Sequence, residues 1–287
     1  MNNKIYVIIV TWNGQQYIAD CLNSLYSQKE AQNFRISVVD NNSKDKTEEI
    51  IRSNFKDVIL IKNNTNLGFA KGNNIGIRKA LELGTDLVVL LNQDTEVAPD
   101  FIKQGLKYLL ENQKVGLASS IILYPQEKKI WFAGTVIYRG KEILKHPNAK
   151  IGDHINKKKI IKEADKNNRT DWLPACALFI KKEVFETIGF LDETFFMYGE
   201  DVDFSLRAQK AGFQLGYLTD TLVIHKENID SSMKINKYQF KKLLLRTRAR
   251  FKIVWRYFNH KEKCYYYLKL IYAPFVQLFY AFKKIIS

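Results

Sequence analysis

The polar residues of this chain that can do chemistry collect directly behind its apolar runs. Thr11-Trp12-Asn13 follows Ile5–Val10, Asp40-Asn41-Asn42-Ser43 follows Arg35–Val39, Asn92-Gln93-Asp94 follows Leu87–Leu91, and His225 follows Leu222–Ile224. Asp40 can accept the imide N–H of a uracil or thymine ring; within D-N-N-S it can equally close an Asx-turn. Asp94 suits a hard divalent cation that completes its shell with water and phosphate oxygens, or it caps the helix starting near Pro99. Glu200-Asp201-x-Asp203, behind Phe195-Phe196-Met197-Tyr198-Gly199, offers a general base partly shielded from water, or an acidic helix start that complements the macrodipole. His225 is a ligand if it faces a cleft and a structural histidine otherwise. The stretch Asn66 to Gly76 is rich in glycine and amide. Glycine allows close backbone approach and helix-start N–H groups favour anions. Tight helix–sheet packing explains those glycines too, but not Asn73 and Asn74.

The elements that must position these residues alternate. Ile5–Val10, Arg35–Val39, Val58–Ile61 and Leu87–Leu91 read as short buried strands. Helical spacing separates them: Tyr17 to Tyr26, a helix with Asp45 and Glu48 at capping-box separation, and a segment with Ile75, Ile77, Ala80, Leu81 and Leu83 closed by Gly84. Pro99 fits the first turn of another helix running to about Asn112. Such alternation implies a parallel sheet covered by helices, in which ligands bind beyond the carboxyl ends of the strands. Val115–Leu123, Ile130–Tyr138 and Leu178–Ile180 read as further strands and Asp201–Ala211 as a helix stopped by Gly212, while 139–169 reads as a lysine-rich surface insertion.

Composition removes several classes. Of 287 residues 46% are hydrophobic, enough for a sizeable core. The net charge is +15, of which +13 lies between Lys234 and Ser287, where Glu262 is the single acid, so 1–233 carry only +2. A body that coats nucleic acid is therefore disfavoured. Three distant cysteines without C-x-x-C exclude a zinc ribbon, a thioredoxin-type site and a disulfide scaffold. Ile5–Val10 ends in Thr11-Trp12-Asn13-Gly14, too short and polar for a signal peptide, so a cytosolic catalytic body is expected. Neither G-x-G-x-x-G nor a P-loop follows a strand.

In this order, V-I-I-V-T-W-N-G, V-V-D-N-N-S-K-D-K-T, N-L-G-F-A-K-G-N-N-I-G, L-L-N-Q-D-T and F-F-M-Y-G-E-D-V-D-F-S-L-R-A resemble family-2 glycosyltransferases of the bacterial rhamnosyltransferase-like branch, from about residue 4 to residue 231. The resemblance implies an α/β GT-A fold, Rossmann-like, with a mainly parallel sheet and helices on both faces: a nucleotide-binding half over about 1–112 and an acceptor half over 113–233. It implies inverting transfer from a nucleotide diphosphate sugar, dTDP-rhamnose before a UDP-sugar, with Mg2+ or Mn2+. Carried over residue by residue, it places Thr11, Asn13, Asp40, Asn66, Gly68, Lys71 and Asn92 on the nucleotide, and Asp94 and His225 on the metal. Asp201 becomes the base beside Glu200, with Trp172 and Tyr198 toward the acceptor. Two positions depart from the family pattern: Asn92 stands where D-x-D has its first acid, and Asp45-Lys46-Thr47 where D-G-T is usual. The alternatives are a UDP-sugar hexosyl- or galactofuranosyltransferase and a non-catalytic nucleotide-binding protein of the same fold.

Residues 234–287 are basic, aromatic and helical in pattern. Lys241, Lys242, Arg246, Arg248, Arg250, Lys252 and Arg256 interleave with Phe240, Phe251, Trp255 and Tyr257, and Tyr265–Phe282 lacks the clean apolar run of a spanning helix. Basic amphipathic helices of this kind fit an anionic membrane surface, here the inner face of the cell membrane where a glycan or lipid-linked acceptor would sit. Packing on the body or a homodimer is the alternative.

Overall fold

A computed structural model describes residues 4–29, 34–125, 129–138, 142–145, 170–226 and 237–268. The strands are β1 (Ile5–Thr11), β2 (Phe34–Asp40), β3 (Ile59–Lys62), β4 (Leu87–Asn92), β5 (Thr95–Val97), β6 (Val115–Leu123), β7 (Ile130–Phe132), β8 (Val136–Tyr138), β9 (Glu142–Lys145), β10 (Ala177–Lys181) and β11 (Gln214–His225). The helices are α1 (Ile18–Tyr26), α2 (Thr47–Asn54), α3 (Gly68–Glu82), α4 (Phe101–Glu111), α5 (Lys182–Ile188), α6 (Glu200–Lys210) and α7 (Lys237–Tyr257), followed by a helical stretch over 260–268.

The main sheet runs β3-β2-β1-β4-β10-β6-β11-β5, with β7 beside β6. Its first four strands are parallel, as the alternating pattern requires. Successive residues of a strand face opposite sides, and Val7, Ile8 and Ile9 are all fully buried, so both faces of β1 are covered. Gly76 lets α3 sit directly on this strand: a Cβ there would lie 2.5 Å from Ile8 Cγ2. Beyond β4 the sheet becomes mixed. β10 enters antiparallel between β4 and β6, β11 is parallel to β6, and β5 lies antiparallel on β11. This reversal delivers the start of β10 to the carboxyl end of β4, where the Asn92 N–H donates to the Cys176 carbonyl at 3.0 Å.

Several local expectations need correction. Ile130–Tyr138 is two strands rather than one, parted at Gly134, whose φ is 81°. β7 pairs with β6 and β8 with β9, so 139–169 contains a strand; 139–141 and 146–169 lie outside the described residues. α4 starts at Phe101 with Asp100 at its N-cap, two residues past Pro99, because β5 occupies part of the connection. The Asp45–Glu48 capping box does not form. Asp45 instead accepts from the N–H groups of Thr47 and Gln15, each at 3.1 Å, while Glu48 turns outward to Arg52 and Lys62.

α7 packs against the body. Ala249 and Ile253 join Phe195 and Val202 in one apolar cluster. Asp203, 1% exposed, accepts from Arg207 Nε at 2.8 Å, Arg256 Nη1 at 2.9 Å and the Tyr257 hydroxyl at 2.7 Å. A buried carboxylate with three charged or polar donors is well satisfied, and this one ties α7 to α6. No described helix is long and apolar enough to cross a membrane.

Candidate active site

The loops behind β1 and β2 are stitched together by side chains. Asn13, at φ 49°, donates its N–H to Ser43 Oγ and accepts from the Lys44 N–H at 2.8 Å. Thr11 is fully buried, and its hydroxyl donates to Gln93 Oε1 at 2.5 Å, which also accepts the Trp12 N–H. Asp40 forms the Asx-type turn: Oδ1 accepts from Ser43 N and Oγ at 3.1 and 2.5 Å, leaving Oδ2 only a 3.4 Å contact with the same N–H. Gly68, at φ 81°, meets the second half of the chain, where a Cβ would fall 2.4 Å from the Phe196 carbonyl. The first N–H groups of α3 are already engaged, Gly68 with Asn66 Oδ1 and Phe69 with the Phe196 carbonyl. Asn74 exchanges hydrogen bonds with Leu191 and reaches Glu193, which explains the amide in the glycine-rich stretch as a fastener of the loop leading to Phe196. Lys71 is exposed.

At the carboxyl ends of β4 and β11, Asp94 does not cap α4. Its Oδ1 lies 3.3 Å from His225 Nε2, and Asn92 Nδ2 approaches the same ring nitrogen at 3.3 Å. Burial opposes ionisation of Asp94, but the His225 imidazole and nearby hydrogen bonds hold its carboxyl below the usual range. Asn92 Oδ1 and His225 Nδ1 are buried without a partner. One carboxylate, one imidazole and a spare amide oxygen fit a divalent cation that draws its remaining ligands from water and phosphate. Among the described residues no three His, Cys, Asp or Glu side chains form a self-sufficient metal cage.

The helix start of α6 carries the second cluster. Tyr198 and Gly199 have φ of 71° and 87°, a left-handed pair whose strain at a tyrosine marks a constrained turn. It sets Glu200 and Asp201 at the first turn of α6. Asp201 keeps some surface open, yet its carboxylate lies among protein atoms; Oδ1 accepts from Val202 N–H at 2.8 Å and Oδ2 lies 3.5 Å from Ala175 N. Burial raises its pKa to about 6, against the opposing pull of those N–H groups. Burial, and then the charge of Asp201, pushes Glu200 well above the carboxylate range. Glu200 Oε2 and the Trp172 indole N–H are buried without partners; the indole leans toward Asp201 closely enough to favour its ionised form but falls short of a hydrogen bond.

Consecutive residues join the two clusters: Cys176 holds Asn92 and Ala175 approaches Asp201. β7 spans them from the side, with Trp131 edge-on to His225 at 5.3 Å and Phe132 edge-on to Trp172 at 5.8 Å. Asn92, Asp94, His225, Trp172, Glu200 and Asp201 therefore share one region, and Thr11 reaches it through Gln93. From sequence alone Gln93 has no role beyond its place in Asn92-Gln93-Asp94, and Trp131 is not singled out. Gln93 sits between two singled-out residues and was findable; Trp131 meets His225 across 94 positions of sequence and had no local signal.

The chain matches the family model described as "Glycosyl transferase family 2" over residues 6–189. It is 29% identical over 217 residues to the dTDP-rhamnosyl transferase RfbF of Shigella flexneri, covering 74% of this chain and 65% of that protein. It is 27% identical to the rhamnosyltransferase WbbL of Escherichia coli K12, covering 74% and 79%. Among solved structures it resembles a mannosyltransferase from Pyrobaculum calidifontis in complex with GDP-Man and Mn2+, with a TM-score of 0.59 at 17% identity, over 86% of this chain and 61% of that one.

Proposed function

Because the chain belongs to glycosyltransferase family 2, we propose that it transfers rhamnose from dTDP-rhamnose to a glycan or lipid-linked acceptor, in one inverting displacement assisted by Mg2+ or Mn2+. Residues 1–233 form the catalytic body in this reading, and α7 is an appended basic helix closed against it. The observation that carries the mechanism is Asp201, at the start of α6: its carboxylate lies among protein atoms beside Ala175 and Val202, with a pKa raised by burial to about 6, near the value at which a general base is both ionised and basic. Glu200 beside it is pushed higher, so the pair favours a single charge, on Asp201.

Asp201 takes the proton of the acceptor hydroxyl as that oxygen attacks the anomeric carbon. The new C–O bond forms on the face opposite the diphosphate while the bond to the diphosphate breaks, which inverts the configuration. Asp94 and His225 would hold the cation, with Asn92 Oδ1 beside them. When bound, that cation neutralises charge developing on the leaving diphosphate. Asp40 Oδ2 is the oxygen left to take the imide N–H of the base, with Thr11, Asn13, Asn66, Gly68 and Lys71 along the nucleotide, and Trp172 and Tyr198 face the acceptor. Thymine and uracil share that imide, so the preference for dTDP-rhamnose rests on the likeness to RfbF and WbbL.

Thermal melts with dTDP-rhamnose, UDP-glucose, UDP-galactofuranose and GDP-mannose, each with and without Mn2+, test the reading. A donor at a hundred times its Kd adds about 2.7 kcal/mol, a shift of several degrees. A Mn2+-dependent shift is expected with dTDP-rhamnose. A larger shift with a UDP-sugar would replace the donor, and no shift with any of them would overturn the proposal.

A further inference from the structure

Gln93 lies between Asn92 and Asp94, in the two-residue turn from β4 to β5, yet its side chain goes elsewhere. Asn92 Nδ2 and Asp94 Oδ1 both meet His225 Nε2, whereas Gln93 crosses to the end of β1. The ladder between β1 and β4 pairs Val10 with Asn92, which sets Thr11 and Trp12 beside Gln93. Gln93 Oε1 accepts from the Thr11 hydroxyl at 2.5 Å and from the Trp12 N–H at 3.1 Å, and Gln93 Nε2 donates to the Trp12 carbonyl at 3.4 Å. An amide is a side chain that can accept and donate at once in this way. Gly14 makes the approach possible, since a Cβ there would lie 2.2 Å from Gln93 Oε1. The segment that Gln93 grips is the one that reaches Asp40. The Asn13 N–H donates to Ser43 Oγ at 2.9 Å, and Ser43 Oγ donates to Asp40 Oδ1 at 2.5 Å. The Gly14 N–H donates to Thr47 Oγ1 at 2.8 Å, and the Asn41 N–H to the Thr11 carbonyl at 2.8 Å. Hydrogen bonds thus run from the turn that carries Asn92 and Asp94, through Gln93, to the carboxylate at the end of β2.

We propose that Gln93 is a positioning residue that sets the loops behind β1 and β2 and the Asn92–Asp94–His225 group as one unit, so that filling either end orders the other. It touches neither base nor cation in this role and acts through Thr11 and Trp12. This rests on the transferase reading and adds to it a coupling between nucleoside and cation carried by the chain itself. Thr11 is fully buried, so without Gln93 Oε1 its hydroxyl would be left to find another acceptor, and a buried donor left unpaired is costly. A ligand that orders one end of such a link leaves less for the second ligand to order, which makes the coupling positive, and it must be reciprocal.

The test follows thymidine binding to the full chain by calorimetry, with and without saturating Mn2+. Thymidine has no phosphate with which to touch a cation, so any effect of Mn2+ on its affinity travels through the protein. Mn2+ is expected to tighten thymidine binding ~5-fold or more in the parent chain. Gln93→Leu, which lacks both polar atoms, is expected to abolish that dependence. Gln93→Glu, whose carboxylate still accepts from Thr11 and Trp12, is expected to restore it. Dependence that survives in Gln93→Leu, or is absent from the parent, would overturn the proposal. Loss in both variants would overturn it too, because the acceptor oxygen would then not be what matters. Hydrogen exchange at the Trp12 amide gives a second readout that needs no nucleoside. It is expected to be roughly 2–10-fold faster in Gln93→Leu than in the parent or Gln93→Glu, and to be slowed by Mn2+ alone in the parent but not in Gln93→Leu. Exchange at Trp12 indifferent to both Gln93→Leu and Mn2+ would overturn the link. If neither thymidine nor dTDP bound the parent while Trp12 exchange responded as expected, the transferase reading would fall and the link would stand.

Discussion

Behind β1 and β2 the polar side chains are bonded to one another, Asn13 with Ser43 and Lys44, Asp45 with Gln15 and Thr47. Around the ends of β4 and β11 and the start of α6 that bonding is incomplete: Asn92 and Asp94 meet His225 Nε2, but Asn92 Oδ1, Trp172 Nε1, Glu200 Oε2 and His225 Nδ1 are buried without partners, and Ser120 Oγ is the one other such side-chain atom among the described residues. An unsatisfied buried group costs about 1–3 kcal/mol, and native structures keep few of them. The first region is scaffolding that fixes loop shape by internal bonds. In the proposed function the second holds polar atoms in reserve for groups that the donor, cation and acceptor would supply.

The sharpest way to break this contrast is Asp201→Asn. Transfer is expected to fall about 10²–10⁴-fold, and kcat/KM of the parent enzyme to rise with pH through about 6 to a plateau. Stability moves the other way. Because the folded pKa of Asp201 lies above its ordinary value of 3.8, its contribution to folding is fully present below that value and is lost as pH rises through about 6. At pH 8 the variant is therefore expected to be more stable by up to about 3 kcal/mol, and at about pH 3 equal. Melting curves at the two pH values check this; a variant no more stable at pH 8 would contradict the buried-base reading. Asp94→Ala comes next, with Mn2+-dependent donor binding down roughly 10–100-fold and metal-free binding unchanged by calorimetry. An equal loss without Mn2+ would make Asp94 a nucleotide contact. Gly68→Ala probes the seam between the regions, since it places a Cβ against the Phe196 carbonyl at a positive φ. A loss of about 2–3 kcal/mol, roughly 4–10 °C in Tm, is expected, and an unchanged Tm would mean that the two halves are not keyed there. Asp45→Ala is the smallest, about 1 kcal/mol of stability with donor affinity in Mn2+ intact. If it lost as much donor affinity as Asp94→Ala, the division between scaffold and reserve would collapse.

What the sequence made legible follows the same line. β1 to β4 and their helices were readable because each is a local pattern: a β-branched run, then 3.6-residue spacing. The reversal at β10 was not, because Leu178–Ile180 reads the same whichever way it pairs and the partner strands lie far off in the chain. β5 escaped because three residues show no period and its partner Val223–His225 comes over a hundred residues later. The clustering of polar residues at strand ends put Asp40, Asp94 and His225 at the ends of β2, β4 and β11, and D-N-N-S already offered the Asx-turn that Asp40 makes with Ser43; nothing local told that Asp94 would turn to His225. That choice depends on what each neighbouring loop can donate.

The knot at Asp203 also sets an order of events during synthesis. This carboxylate leaves the ribosome 53 residues ahead of Arg256 and 54 ahead of Tyr257. Until they follow, a group destined for burial lacks two of its donors, and an uncompensated buried charge is strongly destabilising. The loops behind β1 and β2, whose mutual partners lie 30 or 31 residues apart, can set while translation continues; the turn that presents Glu200 and Asp201 cannot. Protease protection of α6 in ribosome-bound chains is expected to appear only after residue 257 clears the exit tunnel, so a nascent chain can hold the parallel half of its sheet before the turn at Tyr198 and Gly199 is fixed.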